Sequence, residues 1–515
     1  MVRPHFARTP DDVTASFSFC VGQDAREYPI GKVHVMPSTR QRYRLPALTE
    51  AMTVKNPLAA GIDVGSTFHA VAIPPHLSPE PCRTFGCTTP DLEEMAAWLQ
   101  QHGITTIALE STGNYWVHPL RMLQQAGFQV ILVHPEYARQ AKRTKYSDLD
   151  DSVWLQQMHA YGLLPASFQP PAPFARLRAL WRHRDRLIAA QGRCLQQMQD
   201  ALELMNVQLH KAVSDIAGVT GLLIIRAIVA GDRDPAHLAN YRDRRLRCSL
   251  TDLTKALTGD YREEELVVLG QLLAQYDFYQ RQRTELDQRI DVLLHELAEL
   301  CPPPGEREVS SVAAPIPEPT SSTAVKPNVA PVDMPRKSRS KNEPAQYDWH
   351  AAIGRLLGMD ATRICGMSVL IVLAIIAEIG TDLSPWDSVK RFTAWLGLAP
   401  DHRVTGGKVV KRHTRRGKPR AAHPFYLAAL AVSKSQTPLG EFYRYHKSRL
   451  GPAKALNATA RKLAILYYHL LTHGPGFVEQ GQQTLCQHST QRKLRKLNRL
   501  ATELGFKLVE RAQVA

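Results

Sequence analysis

Three short stretches place carboxylates where metal chemistry could use them. GIDVGSTFHAVAIP (residues 61–74) sets Asp63 inside an otherwise apolar run and follows it with a Gly-Ser-Thr turn. Glu110 closes the run ITTIALE before the turn STGN, and KYSDLDDSVWL carries Asp148, Asp150 and Asp151 at the start of a predicted helix. A separation of three puts Asp148 and Asp151 on one helix face, whereas Asp150 points elsewhere. Carboxylates gathered from distant parts of a chain repel one another unless a divalent cation compensates. Hard oxygen ligands without His or Cys support favour Mg²⁺ or Mn²⁺ over zinc. Two such ions can hold both the attacking and the leaving oxygen in phosphoryl transfer. Taken singly, each acid also has an ordinary role as a helix cap or a solvated charge. Only their combination, in a suitable order of elements, points to a metal site.

A second candidate site is basic. HRVTGGKVVKRHTRRGKPRAAH (residues 402–423) contains Arg403, Lys408, Lys411, Arg412, Arg415, Arg416, Lys418 and Arg420 and no acid. Runs this one-sided are commonly solvated faces or tails. Here the apolar stretches FTAWLGLAP and FYLAALAV flank the run, so a folded scaffold holds it and phosphate contact is the better reading. Thr405 precedes Gly406 and Gly407, which would let the backbone approach a phosphate and leave the hydroxyl exposed. Arg403 and Lys408 could stabilise charge developing on that phosphate. A nucleophilic hydroxyl needs a base, for which His402 and His413 are candidates; the alternative is that Thr405 is a plain turn residue.

The whole composition agrees with a polyanionic partner. Across 515 residues, 64 Lys and Arg face 48 Asp and Glu, for a net charge of +16 and an isoelectric point near 9.5. The apolar run VLIVLAIIA (369–377) is too short to span a bilayer and reads as a buried helix, so no membrane partner is expected. No apolar signal core follows Met1. The eight cysteines are scattered without a CxxC pair, which fits a reducing cytoplasm.

Elements that could position these residues follow in order. Residues 1–56 read as a poorly ordered extension, with Met52 as an alternative start. Over residues 57–165 the pattern is α/β. Strands are predicted at 59–65, 68–74 and 81–87, closely enough joined to be antiparallel. A helix capped by Thr89 with Pro90 at its first position comes next, then a strand at 104–110, a helix around 116–126 and a strand at 128–133. Three antiparallel strands followed by alternating helix and strand is the order of ribonuclease-H-like folds. Residues 166–300 read as helical. Apolar positions 266, 269, 273 and 276, then 279, 286, 290, 293, 297 and 300, suit either a coiled-coil seam for self-association or an ordinary amphipathic helix. Residues 301–346 hold ten prolines and no Leu, Phe, Tyr or Trp, and read as a linker. Globular patterning resumes over 347–480, where RLLGMDATRICGMSVLIVLAIIAEIG predicts helix, glycine turn and buried helix, and 481–515 form a basic helical tail.

GIDVGS, LESTG, KYSDLDDSVWLQQMHAYGLLP, LHKAVSDIAGVTGLLIIRAIVAG, ICGMSVLIVLAIIAEIG, FTAWLGLAPDHRVTGGKV and LNATARKLAILYYHLL together resemble the DEDD-type insertion-sequence transposases, relatives of the Piv-type DNA invertases. The resemblance runs from about residue 58 to at least 478. It implies a RuvC-like N-terminal domain, a coiled-coil arm and a mostly α-helical C-terminal transposase domain with a helix-hairpin-helix-like segment and a nucleophilic hydroxyl. By motif, Asp63, Glu110, Asp148 and Asp151 take the places of the acidic tetrad, and Thr405 takes the place of the family's serine. Threonine keeps the hydroxyl but adds a methyl that restricts its rotamers. The implied chemistry is DNA strand exchange through a covalent hydroxyl–phosphate link, guided by a structured RNA. Lys142, Arg143 and Lys145, with the basic run above, would then grip nucleic-acid backbones. The arm would assemble a dimer or tetramer.

Other functions compete. GIDVGST also resembles the first phosphate loop of sugar kinases and Hsp70-like ATPases, but no second phosphate loop or glycine-rich adenosine site follows. A catalytically decayed nucleic-acid-binding relative and a junction nuclease using water are the further alternatives.

Overall fold

The computed structural model describes residues 53–111, 113–135, 148–300, 339–406, 408–413 and 419–506. Most of the expected N-terminal extension, most of the proline-rich linker and the last residues of the tail lie outside these, whereas Lys55 and Asn56, expected as part of the extension, donate their amides to the Ala160 carbonyl. Two compact units divide between Ala166 and Ser167.

The first unit is built on five strands: β1 (Ala59–Val64), β2 (Phe68–Ala72), β3 (Cys82–Gly86), β4 (Thr106–Glu110) and β5 (Gln129–Val133). Their order in the sheet is β3-β2-β1-β4-β5. The first three pair antiparallel, whereas β4 runs parallel to both β1 and β5. This is the ribonuclease-H-like order. Short β1–β2 and β2–β3 connections permit only antiparallel pairing, whereas the parallel strands need helical crossovers. Those are α1 (Thr89–Gln101) and α2 (Val117–Gln125), whose Leu92, Met95, Leu99, Leu120 and Leu123 bury with Ile62, Val64, Val71 and Ile107. The N-cap of α1 is Thr88, one residue before the expected Thr89. Asp91 Oδ2 accepts from both the Thr88 amide, at 2.9 Å, and the Thr88 hydroxyl, at 2.5 Å. That reciprocal cap fixes the helix start. The opposite face of the sheet takes α3 (Asp148–Ala160).

The second unit begins with α4 (Ala172–Leu204), which pairs with the 38-residue α5 (Glu263–Leu300). Contacts between residues 184 and 287, 191 and 280, and 194 and 275 show that the two run antiparallel. The periodic seam of α5 is therefore filled from within the chain. Leu286, Ile290, Leu293 and Leu297 bury with α4 and residues 349–471, while Leu269, Leu273 and Tyr276 bury with the short helices over 209–257. The base of the arm and the C-terminal helices thus share one core. Arg184, 1% exposed, ties them together. It donates to Asp287 at 2.5 and 3.4 Å and to the Asn342 carbonyl at 2.5 Å, between the rings of Trp181 and Trp349. Residues 339–346, expected as linker, are held against the arm by that contact and by the Lys341–Asp215 ion pair.

The predicted helix, glycine turn and buried helix after residue 347 are present, with the helices as α6 (Trp349–Leu357) and α7 (Val369–Ile379). Gly358 ends α6 in the left-handed region (φ 69°), and the Ser368 hydroxyl caps α7. Among the described residues no helix is long and apolar enough to cross a membrane. The basic tail belongs to one continuous helix that already begins at Pro475.

Candidate functional site

Asp63 sits one residue from the end of β1, and its position follows from alternation along the strand. Ile62 and Val64 face α1 and α2, so Gly61 and Asp63 face α3. The neighbours around Gly61 on that face are small. Ala72 and Ala70 pair across from Gly61 and Asp63, and Ala108 pairs with Gly61 from β4. Helix α3 presses onto this floor and presents an unusually polar inner face: Asp151, Ser152, Gln156 and His159 are all under 10% exposed.

Polar contacts hold the far end of α3. The Gln156 amide donates to the Ala59 carbonyl at 3.3 Å, and the Asn56 side chain donates to the His159 carbonyl at 2.8 Å. Thr106 Oγ1 lies 2.8 Å from His159 Nε2 and gives its own proton to the Gln129 carbonyl at 3.0 Å. With that proton committed, His159 must donate through Nε2–H. Burial holds the His159 imidazole below its usual pKa, in keeping with a neutral ring.

The near end of α3 carries the acids. One ligand oxygen each from Asp63, Asp148 and Asp151 lies within 4.8 Å of the others. Oxygens opposite each other around Mg²⁺ or Ca²⁺ stand about 4.2 to 5 Å apart, so three hard oxygen donors within this reach could share one divalent ion. The first turn of a helix also supplies a partial positive charge that tempers the carboxylate repulsion. Asp150 is exposed and outside the group. Glu110 closes β4, 8% exposed; the register Ile62 with Leu109 makes it the next neighbour of Asp63. It shares the sheet face of Asp63 but is not part of the mutually close group of three.

The basic segment forms a hairpin. β6 (Asp401–Thr405) and β7 (Lys408–His413) pair antiparallel, with Thr405 opposite Lys408 across a two-residue turn. Gly406 takes φ 56°, the left-handed conformation that tight hairpin turns require. Val404–Thr405 and Val409–Val410 flanking a Gly-Gly pair were the overlooked strand signal. Thr405 is exposed at the tip, and Arg420 is exposed beyond the hairpin. Arg403, Lys408, Lys411 and Arg412 lie on the two strands, as do His402 and His413. Arg415, Arg416 and Lys418, and likewise Lys142, Arg143 and Lys145, lie outside the described residues.

The strand order is compatible with a ribonuclease-H-like α/β domain, and the carboxylates converging at the end of β1 form a candidate divalent-metal centre. Residues 60–207 match the DEDD transposase domain of IS110-type elements, and residues 361–444 match the transposase IS116/IS110/IS902 family. Both matched segments are similar to transposase domains of IS110-type insertion sequences. No curated protein matches it.

Proposed function

We propose that the protein recombines the DNA of an insertion sequence by metal-dependent strand exchange through a hydroxyl-linked intermediate, guided by a structured RNA. The observation that carries this is the convergence of Asp63, Asp148 and Asp151 within one transposase-type domain of a strongly basic chain. These three residues, with Glu110 beside Asp63, would hold Mg²⁺ or Mn²⁺. When bound, the ion supplies Lewis-acid stabilisation of charge on the scissile phosphate.

Thr405, at the tip of a cationic hairpin, is the proposed nucleophile. Its Oγ bonds to phosphorus and one ester P–O bond breaks. The hydroxyl proton passes to a base, and the departing sugar oxygen takes up a proton. The new phosphothreonine ester conserves the bond, so a sugar hydroxyl can later attack it, rejoin DNA and release Thr405. Base pairing by a guide RNA would delegate sequence choice away from the protein, which then needs only backbone contacts such as those of Arg403, Lys408, Lys411, Arg412 and Arg420. A homo-oligomer would bring together the several active sites that exchange requires.

The test uses the full chain with RNA from the element's own ends and a suicide DNA substrate in Mg²⁺. A covalent protein–DNA adduct mapped to Thr405, and lost with Asp151→Asn, is expected. Cleavage without an adduct would replace this mechanism with a water-dependent junction nuclease, and binding without cleavage would leave a nucleic-acid scaffold.

A further inference from the structure

Gly61 lies two residues before Asp63, at the point where α3 comes nearest the sheet. Its φ is negative, so conformational freedom is not why glycine stands there. Space is the reason. A Cβ placed on Gly61 would overlap the Gln156 amide nitrogen and the Ser152 carbonyl oxygen and stand 2.9 Å from Gln156 Cα. All three are backbone atoms of the helix that bears Asp148 and Asp151, so no side-chain rotation relieves the clash. Ala59, Ala70, Ala72 and Ala108 surround Gly61 on the same face, each no more than 1% exposed. Ser152, whose carbonyl meets Gly61, directly follows Asp151 in the chain.

We propose that Gly61 is a positioning residue for the metal centre: the missing side chain sets the approach of α3 to β1 and thereby the size of the ion the three carboxylates accept. This rests on the metal reading given above. Any larger residue moves the α3 backbone outward by roughly 1 Å before carbon contacts return to their ordinary 3.5–4.0 Å. The polar contacts of His159 hold the far end, so the movement falls on residues 152–156 and the turn before them, where Asp148 and Asp151 sit. Mg²⁺ tolerates such widening poorly, because it demands near-octahedral bonds of about 2.0–2.1 Å. Ca²⁺, with flexible geometry and bonds of about 2.3–2.6 Å, accepts it. The signature of a positioning role is therefore a change in selectivity, which general loosening of the fold would not produce.

The experiment is calorimetric titration of the full chain with Mg²⁺ and separately with Ca²⁺, without nucleic acid, for wild type and Gly61→Ala, with circular dichroism confirming the fold. Mg²⁺ affinity is expected to fall about tenfold while Ca²⁺ affinity changes less than about threefold. Ala70→Val enlarges the position directly across from Asp63 and shifts selectivity the same way; it carries the test if Gly61→Ala does not fold. Equal losses for both ions, or no change for either, in a folded variant would overturn the role of Gly61 and leave the metal centre standing. A wild-type chain that binds neither ion would overturn the metal centre and this proposal together.

Discussion

Replacing Asp151 with asparagine should raise the stability of the metal-free protein and lower it relative to wild type when metal is present. The reasoning starts from the three carboxylate oxygens lying within 4.8 Å of one another. At that separation each charged pair repels by about 1 kcal/mol in a water-like medium and about 3 kcal/mol at an effective dielectric near 20. Asp148 is exposed and Asp63 is only partly buried, so the lower figure applies to both pairs, and losing them relieves about 2 kcal/mol. Against this, an acid in the first turn of α3 favours the helix dipole by about 0.3–1 kcal/mol. The net gain is about 1 kcal/mol, or roughly 4 °C in the melting temperature of a unit this size. In metal the order reverses. A ligand at a hundred times its dissociation constant stabilises the wild type by about 2.7 kcal/mol, and the variant forfeits most of that. Scanning calorimetry of both proteins in EDTA and in excess Mg²⁺ reads the crossing directly. A variant that melts below wild type in EDTA, yet keeps the full Mg²⁺ shift, would refute the shared site.

Other consequences follow from the same geometry. Thr405→Ala should abolish the covalent DNA adduct and reduce strand joining at least about 10³-fold, whereas Thr405→Ser should retain both, as read from denaturing gels of suicide substrates. His159 and His69 are both held neutral by burial, below their usual value of 6.5. Their contribution to stability is complete above that value and is lost as pH falls through the folded-state pKa, because the unfolded chain takes up protons first. Denaturant melts between pH 7.5 and 5 should show this decline, and His159→Gln should flatten part of it. Arg184→Met strands the buried Asp287 carboxylate and should cost about 3–5 kcal/mol, most of it recovered when Asp287→Leu is added.

The sheet was legible because each strand carries its own signal: short apolar runs, turns too brief for crossovers, and Pro90 opening α1. The acids were legible by type, and spacing alone put Asp148 and Asp151 on one helix face. Distance was not legible. Nothing in ITTIALE distinguishes a fourth member of the close group from Glu110, a buried neighbour one strand away, because that difference depends on side-chain reach across the sheet. The inner face of α3 left a faint trace, since Ser152, Gln156 and His159 repeat at helical spacing where apolar residues would be expected in a covered helix. Gly61 left none, because a glycine in a strand reads equally as a weak point or as a place of close approach.

The long seam of α5 shows the physical limit most clearly. Leu286, Ile290, Leu293 and Leu297 recur at spacings of three and four, and any helix with a matching stripe satisfies them, whether from the same chain or another. What selects the chain's own α4 is polar. Arg184 must meet Asp287, and Gln191 must meet Gln280 at 2.6 Å, across an antiparallel helix pair whose contacting residues are separated by about a hundred residues of sequence. Such pairs are invisible before the partner helix is known, since a buried arginine and a solvated one are the same letter. The apolar residues Val267, Val268, Phe278 and Val292 lie off that stripe and remain exposed once the seam is filled.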